Sequence, residues 1–274
     1  MASHNPLMVP PFIKFKQAFK PRTSIKRRSY ILLGTVGFLL IFLIWSALTY
    51  SGLIEPLFLP TPTAIVQAAV TLFTQMDFVS DIWITVFRVM AGFILATVIA
   101  IPLGVLVGTF KPVEAMVEPL MAFVRYMPAS AFIPLFILWI GVNEPQKIAI
   151  IFWGSFFQLV LMVAVATKNV QQDLLDVSYT LGTSKSAVLW RVILPSSMPA
   201  ILDSLRLILG WAWTYVIVAE LVGASSGIGY TILQSSRMLR TANILVGILT
   251  IGMLGLMFDY CFKWLHQVLF PWTD

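Results

Sequence analysis

Runs of about twenty residues without a charge recur along this chain, and that recurrence limits what it can become more than any other feature. Wound as a helix, a run of that length matches the hydrocarbon thickness of a bilayer and satisfies its own backbone hydrogen bonds there. Ile31 to Tyr50 is uncharged throughout. Five more apolar segments follow: between Arg88 and Lys111, between Arg125 and Glu144, Ile148 to Thr167, about Ile201 to Val222, and about Ala242 to Phe262. Pro102 falls inside the second, where neighbouring helices can satisfy the freed carbonyl. Pro128 and Pro134 predict a kink or a non-helical entry to the third. The 274 residues, 59% hydrophobic and 11% charged, read as one all-α integral membrane domain of about six spans. A basic tail at 1–29 precedes a membrane domain at 30–274, with a long polar loop at 168–200.

Charge supplies the orientation. Seven of the eighteen Lys and Arg lie before residue 29, and alternating spans put fourteen of them on the side of the N-terminus. Only Arg88, Lys147, Arg237 and Arg240 fall on the other side, so both termini are expected in the cytoplasm of a bacterial inner membrane. The basic excess therefore serves the lipid bilayer rather than nucleic acid. The first apolar run lacks a small-residue cleavage site and reads as an uncleaved span. A single cysteine, Cys261, excludes an internal disulfide. Two external segments remain, Ser51 to Asp81, with a Pro-started interfacial helix in LPTPTAIVQAAVTLF, and Gly223 to Asn243.

The 168–200 loop has its own pattern. Leu174, Val177, Ser178 and Leu181 fall on one helical stripe, with Asp173 and Asp176 in the first turn, where the helix dipole favours acids. Gly182 is placed to end that helix in a left-handed conformation. Thr183 or Ser184 can then cap a second helix with the stripe Val188, Leu189, Val192 and Ile193, closed by Pro195 and Pro199. Two short helices at an angle would stand outside the membrane, with no nucleophile–base pair and no ligand set. Such an element is built to be gripped.

This stretch resembles the EAA loop of bacterial ABC-importer permeases: Glu-Ala-Ala, three residues, Gly, nine residues, Ile, one residue, Leu-Pro. Here Asp176-Val177-Ser178 is followed by Gly182, Val192 and Leu194-Pro195 at that spacing, with Asp for Glu, Val-Ser for Ala-Ala and Val for Ile. The runs AFIPLFILWIGVNEPQKI (131–148), AELVGASSGIGYTI (219–232) and ILTIGMLGLMFDY (248–260) resemble the branch serving nitrate, taurine, alkanesulfonate and bicarbonate importers. The resemblance implies a type I importer permease of MetI-like fold, assembled as a dimer of permease copies. It implies ATP and Mg on separate cytoplasmic ATP-binding cassette chains that grip Asp176, Val177, Ser178, Leu181, Gly182, Thr183, Val192, Leu194 and Pro195. It also implies a periplasmic binding protein that delivers a small anion. The long uncharged insertion of the nitrate and bicarbonate subtypes is not apparent before the second span, which weakens those two substrates.

Other chemistries lack their parts. The nearest run to a phosphate-binding loop, GTSKS at 182–186, has none of the shaping glycines, so no nucleotide is expected on this chain. Gly223-Ala-Ser225-Ser-Gly227 fits a nucleophile elbow, but His4 and His266 belong to the opposite face and leave Ser225 without a base, in what reads as a flexible external loop. No catalytic residue and no His-based metal site is expected. For the substrate pathway the candidates are Arg125, Tyr126, Ser130, Gln158 and Trp211, the last pointing away from Trp213 at helical spacing. Glu220 is a further candidate; it could pair with an arginine of the last external segment or with a second copy, or act as a gate. Gly227, Gly229, Arg237 and Arg240 are the candidates for facing the binding protein, although the two arginines could equally solvate the loop or meet headgroups. A stand-alone proton-coupled carrier, with Glu220 or Asp259 as proton site, is the alternative.

Overall fold

A computed structural model describes residues 27–272. His4 and the expected basic tail, apart from its last three residues, lie outside that range. The chain divides into two compact units, residues 1–62 and 63–274. Within the first, α1 (Arg27–Tyr50) exposes every side chain from Ile31 to Ile44, as a lipid-facing helix does. Its Trp45 Nε1–H donates to the Pro60 carbonyl at 3.2 Å.

Beyond it, α2 (Pro62–Gln75) begins on a proline and buries Ile65 and Leu72, matching the Pro-started helix read from sequence. Helix α3 (Phe78–Thr109) is 32 residues long and runs through Pro102. It starts ten residues before Arg88, so that guanidinium lies inside a helix and not at its mouth. Next come α4 (Lys111–Arg125), a 3-10 turn at Ala129–Phe132 and α5 (Ile133–Ile140). The two halves of this pair are bent by 84°. The kink or non-helical entry expected of the third segment is found at Pro128, which offers no N–H and disfavours the α region for the residue before it, so the apolar run after it winds as a 3-10 turn plus α5.

Helix α6 (Glu144–Lys168) leads to α7 (Gln172–Thr180), α8 (Lys185–Val188) and a π turn at Leu189–Ile193. Then α9 (Leu194–Gly223), α10 (Ile228–Arg237) and α11 (Thr241–Leu269) complete the chain. Five of these helices, counting Lys185–Gly223 as one, are long and apolar enough to cross a membrane, or six if the bent pair is one span. The expectation that Pro195 and Pro199 close a separate second helix is corrected: the helix runs through both. The Leu194 N–H bonds back to the Leu189 carbonyl, a five-residue step that widens the turn where the Pro195 ring would otherwise strike the carbonyl four residues earlier.

The most extensive contact is between α3 and α6, with α9 packed against α6 and α11 against α9 and α10. On α3, Gly92, Ala96, Ala100, Gly104 and Gly108 recur every fourth residue. That stripe of small side chains lets two helices approach closely in lipid, where apolar side chains gain nothing from leaving one another's company for the acyl chains. A Cβ on Gly92 would lie 2.7 Å from the Ile151 Cβ, one on Gly104 2.6 Å from the Val163 Cβ, and one on Gly108 2.6 Å from the Ala164 carbonyl oxygen. Val89, Phe93, Leu159, Val160, Ile208 and Val216 fill the core beside this seam.

Gly104→Val should therefore cost about 1–3 kcal/mol or more of stability through overpacking. Gly34→Val on α1, where nothing lies within 4 Å of an added Cβ, should cost far less. Thermal unfolding of both variants in detergent checks the contrast, and equal losses would contradict the seam.

Candidate functional site

The charges that interrupt the apolar helices gather at two ends. At one, α3 places Asp81, Thr85 and Arg88 on a single face, at spacings of four and three residues. Arg88 is fully buried and its planar fork is saturated. Nε and Nη2 bind the two Glu144 oxygens at 2.5 and 2.6 Å, while Nη1 reaches Glu220 Oε1 at 2.6 Å and the Ser226 carbonyl at 2.8 Å. Thr85 Oγ1 donates to the same Glu220 oxygen at 2.8 Å, and Glu220 Oε2 accepts the Gly229 N–H at 2.7 Å. Asp81 accepts the Gly227 N–H and the Thr231 hydroxyl, each at 2.6 Å. Thr85 accepts the Ile228 N–H at 2.9 Å. The first N–H groups of α10 are thus capped by two carboxylates and a hydroxyl from other helices, the sign that the helix dipole favours.

Several expectations change here. Glu220 does pair with an arginine, but with Arg88 of α3 rather than one in the last external segment, and it lies within the protein as a cross-link. Arg88 and Lys147, read as cations at the external surface, are both buried; the Lys147 ammonium lies 3.6 Å from Glu144. Gly227 and Gly229 are buried too. Gly227 has φ +113°, and a Cβ there would lie 2.5 Å from Glu220 Oε1 and 2.6 Å from Arg88 Nη1, so its backbone is needed against the ion pair inside the chain. The external segment Gly223 to Asn243 contains α10, while residues 224–227 are the non-helical connection before it, held at the Ser226 carbonyl by Arg88. Arg237 and Arg240 remain exposed.

At the other end, Lys111 and Lys168 meet Glu114 at 2.9 and 3.0 Å, and Lys168 meets Glu118 at 3.0 Å. Asp259 forms ion pairs with Arg206 and Lys263, both at 2.7 Å. The carboxylates that a proton-coupled carrier would use, Glu220 and Asp259, are therefore both ion-paired.

The chain between α6 and α8 carries the motif residues. Gly182 has φ +78° and its N–H bonds the Tyr179 carbonyl at 3.0 Å, ending α7 as the pattern predicts. Of the two candidate caps it is Ser184 that accepts, from the Ala187 N–H at 3.4 Å. Leu174, Val177 and Leu181 are 44, 58 and 80% exposed, so the apolar stripe of α7 points away from the rest of the chain. Asp176 holds Gln172 at 3.0 Å. Thr183 is half-buried in the turn, whereas Val192, Leu194 and Pro195 belong to the long helix, so the loop expected at 168–200 leaves the helices only between Lys168 and Ser184.

A cavity of about 230 Å³ opens between the α4–α5 break, α6 and α9, lined among others by Arg125, Gln158, Trp153, Phe157, Trp211 and Tyr215. A second, of about 270 Å³, continues along α6 toward Asn169 and Ser204 and shares Arg125 and Gln158 with the first. Three of the pathway candidates thus converge. Tyr126 and Ser130 lie beside the cavity mouth without lining it; the Tyr126 hydroxyl is 3.1 Å from Arg125 Nη2. Trp213 is buried and points elsewhere, and Glu220 belongs to the opposite cluster. Sequence reasoning missed Arg88 because a charge was taken as a span boundary; the Asp81–Thr85–Arg88 face was the available signal.

Replacing Arg88 by Gln strands a fully buried Glu220 and should cost about 3–5 kcal/mol. Glu144→Gln should cost less, since that side chain is 43% exposed. Unfolding midpoints in detergent should rank Arg88→Gln well below Glu144→Gln, and the reverse order would refute the arrangement.

Residues 100–274 match the family described as the binding-protein-dependent transport system inner membrane component. A probable ABC transporter permease of Brucella abortus (strain 2308) is 36% identical over 230 residues, covering 84% of this chain and 91% of the relative. The taurine transport system permease protein of Escherichia coli (strain K12) is 30% identical over 258 residues, covering 92% and 93%. Among solved structures, a chain of the inward-facing MetNI methionine ABC transporter superposes with a TM-score of 0.57 at 20% identity, covering 69% of this chain and 97% of that one, which establishes the MetI-like fold. The chain therefore belongs to the binding-protein-dependent transport system inner membrane components, the multi-pass permease subunits of ABC importers.

Proposed function

We propose that two copies of this chain form the translocation pathway of an importer for a small anion. A periplasmic binding protein delivers the anion, and ATP and Mg2+ act on separate cytoplasmic chains. The observation that carries this reading is the α7–Ser184 elbow. A nine-residue helix outside the candidate spans, with leucine and valine side chains turned outward, has nothing among the described residues to cover them. Apolar side chains grouped on a short exposed helix fit the groove of a partner. Asp176, Val177, Ser178, Leu181, Gly182 and Thr183 would make that contact. Val192, Leu194 and Pro195 would join the elbow to the pathway-lining helix α9. Both termini lie on the same cytoplasmic side in this reading. Taurine, in the name of the Escherichia coli relative, carries a sulfonate and so supports a substrate with an anionic group, and Arg237 and Arg240 add positive charge to the end at which it would arrive.

Leu181→Asp and Asp176→Lys alter exposed side chains and should leave the fold intact. In proteoliposomes holding the full complex, each should lower ATP-driven uptake roughly tenfold, a typical cost of damaging one central contact of an interface. Membrane insertion and the hydrolysis rate of the isolated ATPase should be unaffected. Wild-type uptake in both variants would remove the elbow from coupling, and uptake by this chain alone under a proton gradient would favour a carrier.

A further inference from the structure

The cavity beside Arg125 has a composition more specific than the anion reading requires. Every other Lys or Arg of α3, α4, α6, α9 and α11 reaches a carboxylate, and Arg125 reaches none. Its guanidinium stands over the Tyr126 ring, 4.9 Å from the centroid, at the point where the α4–α5 pair bends. The Gln158 amide, which also lines the cavity, makes no hydrogen bond among the described residues, and it is half-buried on α6. A cation whose only hydrogen bond among the described residues is to the Tyr126 hydroxyl, and an amide donor, therefore face one space with no carboxylate to neutralise the charge.

Four aromatic side chains share the rest of the wall with Val124, Met127, Ala129, Gly154 and Ile208. Trp153 and Phe157 meet edge to face with centroids 4.8 Å apart, and Trp211 and Tyr215 approach from α9. Tyr215 lies tight against α6 because residue 154 is glycine; a Cβ there would be 2.5 Å from the Tyr215 ring. Inorganic anions such as nitrate or sulfate need donors on all sides to replace their water, and aromatic faces carry the wrong sign of quadrupole to supply them. An organic anion fits better, since its charged end can take Arg125 and Gln158 while a flat apolar body lies against the rings. The volume, below the roughly 300–1,000 Å³ of drug-sized pockets, limits the ligand to a small molecule.

We propose that this cavity is a subsite for small organic anions with a flat apolar body, the aromatic sulfonates and carboxylates. Arg125 and Gln158 bind the charged end; Trp153, Phe157, Trp211 and Tyr215 bind the body. The proposal rests on the permease reading, and the second cavity, which shares Arg125 and Gln158, lies next to it along α6.

The test is equilibrium binding of radiolabelled benzenesulfonate to the complete importer in nanodiscs, with ATP-driven uptake of taurine measured in parallel. Binding should be saturable. Arg125→Gln should weaken it at least about tenfold, as loss of a charge-assisted contact does, and Arg125→Lys should restore much of it. Gly154→Ala, which drives the Tyr215 ring into the cavity and leaves the charge in place, should also weaken it. Nitrate in large excess should not displace the probe. Displacement by nitrate at concentrations equal to the probe, unchanged binding in Arg125→Gln, or no saturable binding in a complex that still imports taurine each overturns the subsite alone. A complex with no ATP-dependent uptake of any anion overturns the permease reading instead.

Discussion

Helices α3 and α6 meet with almost nothing between them, and the positions of the other elements follow from that contact. Five small residues at four-residue intervals remove the side-chain layer that would hold the helices apart, so backbone faces the branched side chains of Ile151 and Val163 directly. Close approach brings Arg88, on the same helix, within reach of Glu144 at the start of α6. Because Arg88 also holds Glu220, the seam fixes where α9 ends, and the carboxylates around the Gly227 turn fix where α10 begins. Dispersion at the seam and electrostatics at its end thus support one another, and the longest-range contacts of the fold are the ones least exposed to water.

The two charge clusters divide their work by environment. Arg88, Thr85 and Glu220 are buried, with Glu144 partly exposed beside them, and the buried polar atoms are matched by hydrogen bonds that offset the cost of leaving water. At the opposite end, the ion pairs around Glu114, Lys168 and Asp259 are partly exposed and screened, contributing modestly and letting neighbouring elements shift. Between them Arg125 is left without a carboxylate, which is why its cavity, and not either cluster, offers an anion something to replace.

Much of this was legible in the sequence. Charge-free runs located the long helices, Gly182 located the end of α7, and the gapped motif located the elbow, because each depends on local chemistry. Three features resisted. A proline was read as a stop at Pro195, whereas a π turn one step earlier accommodates it; that choice depends on the packing of Leu189 and Leu194 against the buried core, which no local pattern shows. Arg88 and Glu220 were read as boundary charges because their partners are separated by 132 residues, a distance no local pattern spans. The break at Pro128 was foreseen, but α4 was not, since the chain was divided at its charges and Lys111, Glu114, Glu118 and Arg125 all lie within that amphipathic helix.

One consequence concerns mechanics. The helix that begins at Ser184 is unbroken through Gly223, 39 residues from Lys185, or about 58 Å of rod. One end adjoins the exposed elbow and the other carries Glu220, which is locked to Arg88 and to the N-terminus of α10. A rod so fastened at its far end passes on displacement and torque rather than absorbing them. Compliance is concentrated at its base, where the π turn and two prolines leave backbone bonds unmade. Tilting the elbow therefore loads the buried ion pair on the other side of the membrane, and the two faces of the protein are connected by stiffness before any ligand is considered.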